Sequence, residues 1–265
     1  MIGITIGVGE KYKFYAEKAA EAFSENTGMP VVIIGDDYLD KYAEEMSKQV
    51  IYHSQERAAY LKYNIFDAFP EENSFVYFDC DWTCVSKWDP LEFDNQKEFI
   101  CVRDRIHYGE VRRQAKVLGM EPDNYFNSGF FIVNRENHKD IFDECRTRHS
   151  FINRKWADQC VFNQVLSERK FPMRFLSKRY NWADYRDESK HMNIIATHDV
   201  SNYNVYNGTS ELPHIPLPEW EWDEERMAKD VEHMPKGWYA DGMSEHVGYW
   251  CYTKDGQRHE TPAWN

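Results

Sequence analysis

The chain has 265 residues, 42% of them hydrophobic and 16% aromatic, enough to bury one large α/β core or two small ones. A formal net charge of −13 leaves no general basic surface and argues against strong binding to a nucleic-acid backbone. No apolar run reaches the length of a membrane span, and cysteines without Cys-x-x-Cys spacing argue against both a disulfide framework and a zinc site.

Residues 2–9, IGITIGVG, read as a first strand that ends at Gly7 and Gly9. The stretch has no basic leader or long apolar run behind it, so a cytoplasmic protein with reduced thiols is expected. A helix over 12–26 comes next, with Ala16, Ala19, Ala20 and Phe23 at helical spacing and Gly28 suited to closing it. Residues 31–35, VVIIG, form a second strand, and strand–helix–strand at this length predicts a parallel βαβ unit. The Gly-x-Gly is no dinucleotide fingerprint, because the third glycine would have to stand at Tyr12. Helices are expected over 40–49 and 54–69, the second bounded by Pro70 with Ala58, Leu61, Ile65 and Phe69 on one side. Lys62 falls off that apolar face, where the plain reading is a solvated surface lysine.

The stretch SFVYFDCDWTCV, residues 74–85, is an apolar, β-favouring run short enough to be a buried strand. It ends in Asp79-Cys80-Asp81. Alternation along an extended chain turns Asp79 and Asp81 to the same side, about 7 Å apart at Cα. Two carboxylates on one face repel unless a cation sits between them, and a divalent ion with oxygen ligands does this. In open α/β sheets ligands gather outside the carboxyl ends of strands, where this pair falls.

Residues 99–102 predict another short strand, and 103–116 carry Arg103, Arg105, Arg112, Arg113 and Lys116, the one basic cluster, read as a solvated helix face able to meet phosphate. In YFNSGFFIVN, 125–134, a polar turn feeds a buried strand; Gly129 allows close backbone approach, and Asn127 and Ser128 offer donors. The segment 156–166 is a helix with Asp158 and Gln159 in its first turn, where an Asp also serves as an ordinary cap. Tyr180-Asn181 comes after it. Residues 193–197 read as a further inner strand with His198 and Asp199 at its end, able to converge on the first Asp pair. Pro213, Pro216 and Pro218 then interrupt the pattern, dividing the chain into a domain over 1–204 and an aromatic-rich appendage over 205–265.

Taken together, VYFDCDWTCV, YFNSGFFIVN, WADQCVFN, YLKYNIF and RYNW resemble, in order and spacing, the retaining glycosyltransferases of family 8 over roughly residues 1–200. The resemblance implies a GT-A fold, a Rossmann-like α/β domain with a mixed, mostly parallel sheet flanked by helices. It implies a nucleotide-sugar donor, usually a UDP-sugar, and Mn²⁺ or Mg²⁺ held by Asp79, Asp81 and His198. It further implies that Gly7, Gly9, Tyr12, Lys62, Asp79 and Ser128 lie at the donor, with Tyr12 on the base, and that Asn127, Asp158 and Gln159 line the sugar pocket. One departure stands out: His198 is followed by DVSNYNV, without the family's phosphate-clamping lysine. Lys178, an arginine of 103–116, or weaker phosphate binding are the alternatives. The acceptor is open among glycan, small molecule, protein and modified nucleobase, as is the oligomeric state, and no membrane partner is expected. A nucleotide-sugar-binding protein without turnover and a metal-dependent hydrolase are the competing function classes.

Overall fold

The computed structural model describes residues 1–48, 54–104, 109–149, 157–183 and 193–198, with 251–252 and 258–259. The first half contains β1 (Ile2–Ile6), α1 (Gly9–Thr27), β2 (Val31–Ile34), α2 (Asp36–Lys48), α3 (Ser54–Leu61), α4 (Ile65–Ala68), β3 (Ser74–Phe78) and β4 (Trp82–Cys84). The second contains β5 (Phe99–Arg103), α5 (Gly109–Val117), β6 (Phe126–Asn134), α6 (Arg135–Arg148), α7 (Ala157–Glu168), β7 (Met173–Leu176) and β8 (Ala196–His198). Residues 251–252 and 258–259 form a separate antiparallel pair, β9 (Cys251–Tyr252) and β10 (Arg258–His259). Apart from that pair, the aromatic-rich segment from 205 lies outside the described residues, as do Arg105 and Asp199.

The main sheet has the order β2-β1-β3-β6-β5-β7. β6 alone runs against the other five strands, so the sheet is mixed but mostly parallel, as expected. Every residue of β3 is buried, which explains why that strand is a continuous apolar run rather than an alternating one. Its side chains still divide by the two-residue pleat. Phe75 and Tyr77 join one core with Phe131, Phe142 and Phe162, while Val76 and Phe78 join the other with Phe23, Trp82 and Phe130. On the second face α1 buries Ala16, Ala19 and Phe23, and Phe23 stacks on Phe78 at 4.8 Å between centroids. Gly28 closes α1 in the left-handed region (φ +72°), its N–H donating to the Ser24 carbonyl at 2.8 Å.

Three expectations need correction. The helix predicted over 54–69 is interrupted by a tight 3₁₀ turn at Lys62–Asn64 before α4. That turn rotates Lys62 inward, where it is 6% exposed rather than solvated. The stretch 193–197 is not an inner strand: only Ala196–His198 is extended, and it pairs antiparallel with β4 in a separate two-stranded sheet. The register sets His198 opposite Trp82, one residue beyond Asp81. Trp82 anchors this small sheet, being fully buried with its indole N–H donating to the Tyr180 carbonyl at 2.9 Å. Third, the basic stretch 103–116 is not one helix face. Arg103 ends β5, donates to the Asp123 carbonyl at 2.6 Å and lies over the Phe175 ring, while α5 spans Gly109–Val117.

Gly7 is a packing requirement of this fold. A Cβ there would lie 2.7 Å from Ala16 Cβ and 2.9 Å from Lys13 Cα, with no flexible side-chain end to give way. Gly7→Ala should therefore push α1 off β1 and lower the stability measured by chemical denaturation by about 1–3 kcal/mol.

Candidate active site

The site forms where β3 ends. Asp79 comes directly after the last residue of β3, and its N–H donates to the Gly129 carbonyl of β6 at 2.9 Å. The 3₁₀ turn brings in Lys62, the first turn of α7 brings in Asp158 and Gln159, and β8 brings in His198. Lys62 Nζ lies 2.9 Å from Asp79 Oδ1 and 2.9 Å from Asp158 Oδ2, with both Lys62 and Asp158 side chains under 10% exposed. A third polar neighbour is the Ser128 carbonyl at 3.4 Å. One ammonium is thus shared between two carboxylates from different parts of the fold.

The two carboxyls respond differently to that shared charge. Burial works to raise Asp79, but Lys62, His198 and the Tyr77 hydroxyl together outweigh it and hold the carboxyl below its ordinary range. Burial pushes Asp158 above the ordinary range; Lys62 opposes this, and the neighbouring Asp79 charge adds to it. Lys62 itself is pulled down by burial, yet Asp158 and Asp79 raise it further, so it stays charged. Asp158 is therefore the more readily protonated carboxyl of the two.

Beside this triad, His198 Nε2 stands 3.2 Å from Asp81 Oδ1 and 3.7 Å from Asp79 Oδ2. One ligand atom from each of Asp79, Asp81 and His198 falls within 4.8 Å of the others. Gly129 keeps this cradle open: a Cβ there would run into the His198 ring and lie 2.9 Å from Asp79 Oδ2. Two carboxylates and one imidazole, with space between them that a single methyl would fill, fit a divalent cation of the Mn²⁺ type.

A cavity of about 580 Å³ opens beside these groups, within the range of small-molecule sites. Of the expected site residues, Gly9, Tyr12, Lys62, Asp79, Asp81 and Asp158 line it. The Gly9 N–H is taken by both Asp36 carboxylate oxygens, at 3.0 and 3.2 Å, so the start of α1 presents a carboxylate rather than a bare amide. Gly7 does not reach the cavity. Asn127, Ser128 and Gln159 are not among its lining residues. Gln159 accepts from the Ser128 N–H at 3.1 Å and donates to Asp104 Oδ2 at 2.8 Å, which commits both ends of its amide. Asn127 Oδ1 accepts from the Gly129 N–H and from Asn181 Nδ2, leaving its own amide nitrogen to donate. Lys178 lies with its ammonium over the Trp182 ring at 4.7 Å, and Trp182 bonds through its backbone to β8.

Two residues bonded to the candidate site groups escaped the sequence reading. Asp104 stands just after β5 at the carboxyl side of the sheet, a position that itself was the available signal. Tyr77 donates to Asp79 Oδ1 at 2.6 Å, but within an apolar run it is indistinguishable from a core ring.

Comparison with known proteins bears on the family and the fold. The model of Glycosyl transferase family 8 matches residues 12–204. Among solved structures, the chain is similar to the galactosyltransferase LgtC in complex with donor and acceptor sugar analogues (15% identity, TM-score 0.55, covering 90% of this chain and 99% of that one). It is also similar to mouse xyloside xylosyltransferase 1 in its apo form (12% identity, TM-score 0.53, 76% and 98%). A third likeness is to the apo WbbM bifunctional glycosyltransferase (15% identity, TM-score 0.57), where 76% of this chain spans 46% of that one. At these identities the likenesses show a shared GT-A fold. No curated protein sequence matches the chain.

Removing the shared ammonium should be costly. Lys62→Met leaves the buried Asp158 carboxylate and the half-buried Asp79 carboxylate without the cation between them and is expected to lower stability near neutral pH by about 3–5 kcal/mol. In that variant Asp158 is raised further, so its protonation favours the folded state. That contribution is complete below the unfolded value of about 3.9 and is lost as pH rises through the folded value. Denaturation measured across acid pH should show the gap to wild type narrowing as pH falls.

Proposed function

The chain belongs to glycosyltransferase family 8, and on that premise we propose that it is a divalent-metal-dependent, retaining enzyme. It moves a sugar from a nucleotide-sugar, a UDP-sugar by family resemblance, to a hydroxyl acceptor. The observation that carries this reading is that Asp79 and Asp81, clustered with His198, line the same cavity as Lys62 and Asp158. A cation held by Asp79, Asp81 and His198 supplies Lewis-acid neutralisation of the donor diphosphate.

The remaining work falls to the chain's own groups. Tyr12, on the cavity wall, packs against the base. Lys62 keeps Asp79 and Asp158 ionised and apart, and adds positive charge at the donor. Asp158 faces the transferred sugar, where its carboxylate steadies the positive charge that grows at the anomeric carbon. Asn127, through its free amide nitrogen, and Gln159, through the Ser128 backbone, orient the sugar hydroxyls. The bond from the anomeric carbon to the diphosphate oxygen breaks, the bond to the acceptor oxygen forms on the same face, and the acceptor proton passes to the departing diphosphate. The acceptor is a glycan, small molecule, protein or modified nucleobase, read by the aromatic-rich residues 205–265. No described helix is long and apolar enough to cross a membrane. Cys80, Cys84, Cys101, Cys145 and Cys160 are free thiols, and the setting we propose is cytoplasmic.

Incubation with a panel of UDP-sugars and Mn²⁺ should release UDP in an acceptor-dependent manner. EDTA, Asp79→Asn and Asp81→Asn should each abolish release while the protein stays folded. Activity surviving in either variant contradicts the metal reading, and binding of UDP-sugar without UDP release supports a protein without turnover. Free sugar formed at full rate without acceptor points to the hydrolase. An inverted product by NMR removes the retaining assignment.

A further inference from the structure

We infer that Tyr77 is a positioning residue for the metal centre, fixing Asp79 so that only its Oδ2 oxygen is offered to the cation. This rests on the metal-dependent reading above. The two Asp79 oxygens have separate surroundings. Oδ1 accepts the Tyr77 hydroxyl at 2.6 Å and the Lys62 ammonium at 2.9 Å, so two donors occupy it. Oδ2 faces the cradle, 3.7 Å from His198 Nε2 and against Gly129. Lys62 alone would fix this orientation poorly, because the same ammonium also serves Asp158 at 2.9 Å. Tyr77 has no such divided commitment.

The ring that carries the hydroxyl is itself locked. Tyr77 is 1% exposed, stacks on Phe131 with centroids 4.7 Å apart, and has the Lys62 ammonium 4.8 Å from its own centroid. Tyr77 and Asp79 are two residues apart at the end of a strand, so the pleat turns them to the same side and makes the contact a product of the fold. A phenol at this depth among phenylalanines needs one acceptor, and the metal-side carboxylate is the one it has. Holding the non-ligating oxygen of a ligand is the ordinary way an outer residue sets which atom binds and at what angle. Losing such a partner weakens metal binding by about 10–100-fold.

The test is Tyr77→Phe, which keeps the ring and its stacking and removes only the hydroxyl. Mn²⁺ binding is read by EPR in the presence of UDP for wild type, Tyr77→Phe and a matched control, Tyr63→Phe. The control also loses a buried hydroxyl, one bonded to His149 at 3.0 Å. Tyr77→Phe should bind Mn²⁺ about tenfold or more weakly, with turnover recovering at saturating Mn²⁺, while Tyr63→Phe matches wild type. Equal Mn²⁺ affinity in wild type and Tyr77→Phe overturns the inference, as does equal loss in both variants or a turnover defect that saturating Mn²⁺ leaves in place. Absence of Mn²⁺ binding by the wild-type protein is a different failure: it removes the metal reading, and this inference with it.

Discussion

The Lys62 ammonium, buried with 7% of its side chain exposed between Asp79 and Asp158, is the interaction on which the arrangement of the site depends. Three chain segments far apart in sequence meet there: the 3₁₀ turn after α3, the end of β3 and the start of α7. Without a cation between them, two carboxylates at this depth would have to move apart or take up a proton. With it, one carboxyl stays anionic toward the cradle formed with Asp81 and His198, and the other stands at the cavity. The ion pairs therefore link the proposed metal side and the proposed sugar side of the site into one electrostatic unit.

That unit is placed by the sheet. Because β3 pairs parallel with β1 and antiparallel with β6, its carboxyl end emerges between the cavity wall of β1 and α1 and the Asn127–Gly129 start of β6. The reversal of β6 is what presents its first residues to Asp79, whose N–H donates to the Gly129 carbonyl. The small β4–β8 sheet then folds back over the same end and delivers His198. Gly129 is the contact point of all three, and its missing side chain is the space they share.

Much of this was readable in the residues. The apolar run of β3 and its two closing aspartates carry a two-residue alternation that states both burial and the shared face. Gly129 and Asn127 stood at the polar start of a second buried run, read as a turn although β6 already begins at Phe126, and Asp158 in a first helical turn. What escaped was set by partners distant in sequence. Helical spacing put Lys62 off the apolar face because periodicity assumes uniform winding, and the 3₁₀ turn changes the winding at that residue. The β8 segment looks like any short apolar strand, and only its pairing with Trp82–Cys84 distinguishes a flap over the site from an inner strand. Tyr77 was hidden for a simpler reason: a ring pattern says nothing about where a hydroxyl points.

In the proposed reaction Asp158 is held charged beside the cavity for use in the chemistry, although burial raises its affinity for a proton. A buried carboxylate kept for stability and one kept for chemistry respond differently when the charge is removed without a change of shape. The most direct measurement is the turnover, donor affinity and melting temperature of Asp158→Asn with the UDP-sugar the protein accepts. A chemical role predicts kcat lower by about a hundredfold or more, donor Kd changed by no more than about threefold, and a melting temperature equal to or above wild type. Unchanged kcat together with a lowered melting temperature would make Asp158 a helix cap and contradict that role.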